Sequence, residues 1–173
     1  MKSIAPGFAL ALTVFAACQS AGAAGTLDTL RQIKIEKGTI LILGGKMPSD
    51  ADFCNWTGAI CELRPGTFGG AEAMSLRTTE PGLIYEFQFH YGAMSSDAVQ
   101  AQINDYIRTL GKPSKDATLK NAEGGSRELV WSDSATTFEL SYKYTTDPNR
   151  TEGSGTLSDN ALVAHGSKES GGL

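Results

Sequence analysis

Cys54 and Cys61 bracket the segment Asn55-Trp56-Thr57-Gly58-Ala59-Ile60 and are the two thiols whose spacing best suits them to react with each other. Their separation lacks the Cys-x-x-Cys form of a redox pair, so the chemistry expected is a structural disulfide. Asn55 and Trp56 in the loop it closes, with Phe53 just before it, form a candidate binding loop, since an aromatic pinned in this way can anchor a partner protein. The opposing expectation is that Phe53 and Trp56 fold inward over one end of a sheet, because tryptophan is usually largely buried.

Other reactive groups are sparse. His90 and His165 are the two histidines, and no further ligands stand at zinc-binding spacing around either. No Gly-x-Ser-x-Gly elbow presents a nucleophile, and Gly44-Gly45-Lys46 lacks the spacing of a phosphate loop. No metal and no cofactor is therefore expected, no catalytic residue is assigned, and the chain does not read as an enzyme. One alternative stays open. Glu86, His90 and Glu139 fall on the polar sides of alternating segments, so a hydrolase or small-ligand site could sit on the polar face of a sheet.

The N-terminus reads as an export leader: Lys2, the apolar run Phe8 to Ala17, then small residues from Ser20 to Gly25. The apolar run is about half the length needed to span a bilayer. Two processing routes are open. Cleavage after a signal peptide over 1–24 leaves a soluble chain. Alternatively, Phe15-Ala16-Ala17-Cys18 resembles a lipobox, with a leader over 1–17 and lipid on Cys18 as the sole membrane attachment. Either route leaves Cys54 and Cys61 as an even pair in an oxidising compartment. The localisation expected is the Gram-negative envelope, periplasmic or anchored in the outer membrane. With a formal net charge of −4 and no basic cluster, nucleic acid is excluded as a partner.

The elements that must position these residues are clearest between Ala93 and Tyr144. Ser95, Ser96 and Asp97 offer N-cap oxygens, and Val99, Ile103, Tyr106, Ile107 and Leu110 form one apolar stripe. Gly111 and Pro113 then stop the helix, which predicts it over about 95–110. Leu83 to Tyr91, Arg127 to Trp131 and Thr136 to Tyr144 read as strands, and Glu80-Pro81-Gly82 turns a hairpin back to Ala73–Arg77. Thr26 to Ile33 permits a short helix, 39–43 reads as a buried strand, 44–70 as loop-rich, and 155–163 as a last strand. The fold class expected is α+β: a single domain over 26–165 with an antiparallel sheet of about four to six strands, the helix packed on one face and a flexible tail at 166–173.

Within residues 91–144, Met94-Ser95-Ser96, Val99, Leu110-Gly111-Lys112-Pro113 and Trp131 stand in an order that resembles the small outer-membrane assembly lipoproteins of the SmpA/BamE type. It also resembles the related modules of β-lactamase inhibitor proteins. In those families a Gly-Met-Thr/Ser start leads through a helix to Leu-Gly-x-Pro and then to strands carrying Trp or Tyr. The resemblance implies an envelope module that works by binding another envelope or secreted protein, and it transfers no catalytic residue. The function expected is thus a non-enzymatic assembly accessory, inhibitor or immunity-type factor.

Overall fold

The computed structural model describes residues 27–35, 38–49, 52–58, 60–63, 68, 70–121, 124–147 and 150–169. The leader expected over 1–24, with Cys18, lies outside them, as do 170–173 of the expected tail. A single 3-10 turn, Leu27–Leu30, leads into the hairpin β1 (Gln32–Lys34) and β2 (Ile40–Ile42). Then come β3 (Cys54–Thr57), β4 (Ile60–Leu63), β5 (Ala73–Thr78), β6 (Ile84–Met94), the helix α1 (Ser96–Leu110), β7 (Lys115–Asn121), β8 (Gly124–Ser132), β9 (Thr136–Tyr144), β10 (Thr151–Asp159) and the helix α2 (Asn160–Glu169). Strands β3 to β10 make one antiparallel sheet in the order β3-β4-β5-β6-β10-β9-β8-β7.

The α+β domain with four to six strands is thereby corrected. The fold is mostly β, with eight strands in the main sheet and two in a separate hairpin. The extra strands come from β3 and β4, inside the segment read as loop, and from β7, read as a polar connection. None of the three has a run of alternating apolar residues, because two of them form the sheet edges and bury little. The segment 39–43 is corrected as well: Leu41 and Leu43 turn inward, but Ile40 and Ile42 are 54% and 47% exposed on the outer side of the hairpin. The last strand ends at Asp159 instead of running on to Val163, and the chain continues as α2 through Glu169.

Alternation gives the large sheet two unlike faces. On one, Leu76, Phe87, Leu157, Phe138 and Trp131 stand side by side across five strands, with Phe89 and Leu140 in the next row. All of these are buried. Helix α1 lies against this aromatic face through Val99, Ile103 and Leu110, with Tyr106 in ring contact with Phe138 and Trp131. Ser95 Oγ accepts the Ala98 amide at 3.2 Å at the start of the helix. At its end Gly111, at φ +81°, donates to the Ile107 carbonyl, and its own carbonyl accepts Trp131 Nε1 at 2.9 Å. Helix stop and sheet core are thus one hydrogen-bonded unit.

Two of the inward positions of β10, Gly153 and Gly155, are glycines. A Cβ on Gly155 would lie 3.2 Å from Leu140 Cδ2 and 3.4 Å from both Phe89 Cδ2 and the Tyr91 hydroxyl. A side chain here would force Leu140 to give way by a few tenths of an ångström, so glycine lets its neighbours close most tightly over the strand.

The N-terminal hairpin adds Leu27, Ile33, Ile35, Leu41 and Leu43 to the same core. Arg31 fastens it there. Its guanidinium donates to Thr136 Oγ1 at 2.7 Å, to the Leu43 carbonyl at 3.0 Å and to Asp159 Oδ2 at 2.6 Å. Asp159 uses its other oxygen to accept the Ala161 and Leu162 amides, each at 3.1 Å, and so also caps α2. At the far margin, β7 is clipped to β8 by one ion pair on each face, Lys115–Glu128 and Asp116–Arg127. Hydrogen bonds from Arg127 hold the Asp116 carboxyl below its ordinary value. Exposed pairs of this kind add little stability, but charge on an edge strand discourages further strand pairing.

Candidate functional site

The two thiols singled out by spacing are joined: Cys54 and Cys61 form a disulfide with Cα atoms 5.3 Å apart. In the hairpin register Cys54 faces Leu63 and Trp56 faces Cys61, so the bridge and the Trp56 side chain emerge on the same side. Cys61 is fully buried against the core. Trp56 is 44% exposed beside it, while Phe53 packs partly against the core and Asn55 is exposed. Neither expectation for the loop holds for both aromatics: Phe53 turns inward and Trp56 stays at the surface. Strand β3 is the edge of the sheet, and among the described residues no strand pairs with its outer side.

The bridge closes a loop of seven residues' separation, which on chain-entropy grounds stabilises the fold by about 2–3 kcal/mol. Replacing both cysteines by serine should lower the unfolding free energy by about that amount in urea melts. A loss below about 0.5 kcal/mol would mean that the hairpin keeps its shape without the bond.

The polar face carries the other expected group. Glu86 accepts from Gln88 Nε2 at 2.8 Å and lies 3.5 Å from Arg77 Nε, an ion pair without hydrogen-bond geometry. His90 is exposed four residues further along β6 than Glu86, facing Ser154. Glu139 is two strands away, across Thr156 from Gln88. Strand spacing alone puts it roughly 10 Å from β6. General acid–base chemistry needs its partners within hydrogen-bond reach, and the structure does not bring these three together. A furrow of about 600 Å³ does run along this face, past Glu62, Ser75, Gln88, His90, Ser154 and Thr156. Among the described residues no group of three or more histidines, cysteines and carboxylates could hold a metal ion.

A second cleft, of about 580 Å³, lies on the aromatic side between α1 and Phe68. Phe68 stacks on Phe89 with ring centroids 4.1 Å apart. Leu30, Met94 and Ala101 complete the apolar lining, and Tyr91, Tyr106, Gln102 and Asp105 bring polar tips. The hydroxyls of Tyr91 and Tyr106 are 3.2 Å apart. Behind them the Tyr142 hydroxyl donates to Gln102 Oε1 at 2.8 Å. Burial pushes the pKa of all three phenols upward, so they stay protonated at neutral pH. Sequence reading placed Tyr91 and Tyr106 on buried stripes but did not pair them. The signal was their polar tips, which need partners once the rings are buried. Compared with family models, with curated proteins and with solved structures, the chain finds no match in any of the three.

Proposed function

We propose that the chain is an exported envelope protein that acts by binding another protein, docking through the β3–β4 hairpin without catalysing a reaction. The observation that carries this reading is Trp56: a large aromatic 44% exposed, held beside a disulfide on the edge strand of the sheet. Aromatics in rigid surroundings lose little entropy on binding and recur as binding hot spots. The occupant we propose is an extended segment of the partner, added alongside β3. Main-chain hydrogen bonds would supply affinity, and Trp56 would supply a contact for one of its side chains. The leader, the cysteine pair and the likeness of residues 91–144 to envelope modules that bind proteins support the same reading. The leader carries the localisation: periplasmic, or outer-membrane-anchored if Cys18 is lipidated.

Affinity capture from a Gram-negative envelope extract tests the docking. A photocrosslinker at Asn55 should trap the same protein that the wild-type chain retains. Trp56→Ala should weaken retention about tenfold or more while changing stability by less than about 1 kcal/mol. Retention unchanged by that substitution would remove the hairpin from the interface. Mass spectrometry of the mature N-terminus decides the compartment. A start at Ala24 or Gly25 gives the soluble form, acylated Cys18 gives the anchored form, and an intact Met1 rejects export.

A further inference from the structure

The cleft between α1 and Phe68 is independent of the docking hairpin and has the chemistry of a small-molecule site. We infer that it binds a neutral, largely apolar molecule that offers one acceptor oxygen to the Tyr91–Tyr106 hydroxyl pair. Its volume falls within the range of pockets that take small molecules, roughly 300–1,000 Å³, and such pockets are mostly apolar with a few convergent polar groups.

The hydroxyl count identifies the polar contact. Two phenols carry two hydrogens, and their mutual hydrogen bond uses one. Whichever ring donates, one O–H is left over, and no other hydrogen bond to either hydroxyl occurs among the described residues. A donor held in an apolar cleft gains most from an acceptor that arrives with an apolar body.

Charge decides against the ionic alternatives. Asp105 is the one charged group among the described lining residues, so among these a carboxylate head would meet an anion and no cation. Asp105 is already paired with Arg108, and its side chain is 63% exposed, so it offers little to an ammonium head. A ketone, ester or ether oxygen on a hydrocarbon body fits.

The test is displacement of the neutral dye Nile red by nonan-2-one, by decane and by nonanoate. Removing both members of a hydrogen-bonded pair without changing their shape is close to neutral for stability, so Y91F/Y106F should melt within a few degrees of wild type. Nonan-2-one should bind that variant about tenfold more weakly than wild type, while decane binds the two proteins alike. A101W places a bulky ring in the cleft from the exposed side of α1 and should abolish binding of the dye and both neutral competitors. Should the double variant fail to fold, A101W alone decides. Four results would overturn the inference: no dye binding to wild type, equal ketone affinity in wild type and Y91F/Y106F, binding that survives A101W, or nonanoate binding more tightly than nonan-2-one.

Discussion

Phe138→Ala should lower the unfolding free energy by about 3–5 kcal/mol, the largest loss expected from a single core truncation here. Phe138 is fully buried in the middle of the aromatic row, between Leu157 on one neighbouring strand and Trp131 on the other. Its ring centroid lies 5.0 Å from that of Tyr106, 5.8 Å from Trp131 and 6.4 Å from Phe68, so it joins the sheet, the helix and the overlying loop. Neighbours fixed on three sides cannot collapse into the space, which puts the cost at the upper part of the range. Urea unfolding of Phe138→Ala beside Glu139→Ala makes the contrast internal. The next residue points to the polar face and should change stability by no more than about 0.5 kcal/mol. Equal losses would show that the two faces of β9 are wrongly assigned.

Asp159→Ala should cost about 3 kcal/mol through two separate effects. It strips Arg31 of its partner in a place where the two side chains are only 20% and 11% exposed. Breaking such a pair from one side leaves a charge without compensation. It also removes the oxygen that accepts two amides at the start of α2, a capping contribution of about 1 kcal/mol. The two can be separated by measurement. Asp159→Asn keeps an acceptor for the cap and should recover about 1 kcal/mol. Replacing Arg31 and Asp159 together by Met and Leu should recover most of the charge penalty. If the double replacement is as unstable as Asp159→Ala, the ion pair is not where the energy resides.

Local agreement made α1 legible in the sequence. A cap at Ser95, an apolar stripe from Val99 to Leu110 and a stop at Gly111 all lie within one short segment, so no distant contact was needed. Strands β5, β6, β8 and β9 carried enough alternation to be read, because each buries one face. Strand β10 was harder for a physical reason. It occupies the middle of the sheet, yet its inward positions include Gly153 and Gly155, where rings from neighbouring elements fill the space that side chains would need. The most central strand therefore has one of the least hydrophobic sequences, and its boundary was misread. Strand β7 is hidden for the opposite reason: the sheet margin asks for charge and not for burial, and Lys115, Asp116 and Lys120 meet that demand. The strand count, and with it the fold class, was lost at these places. Of the sites, the disulfide was legible from spacing and context. The exposure of Trp56 and the pairing of Tyr91 with Tyr106 were not, since both depend on which element lies next to which.

The position of β10 between β6 and β9 sets a timetable as well as an architecture. As the chain is synthesised, β3 to β6 and β7 to β9 can each pair with sequence neighbours, but both assemblies keep an open edge until residues 151–159 emerge. Closure of the sheet brings together segments far apart along the chain, and the contact between Arg31 and Asp159 spans almost all of the described length. Such a distant closure is slow compared with the hairpins on either side of it, because loop-closure entropy comes before the reward. In a chain of this design the sheet stays open until its last strand is made. For the exported protein proposed above, that delay leaves a window in which the polypeptide can still be threaded through a narrow pore.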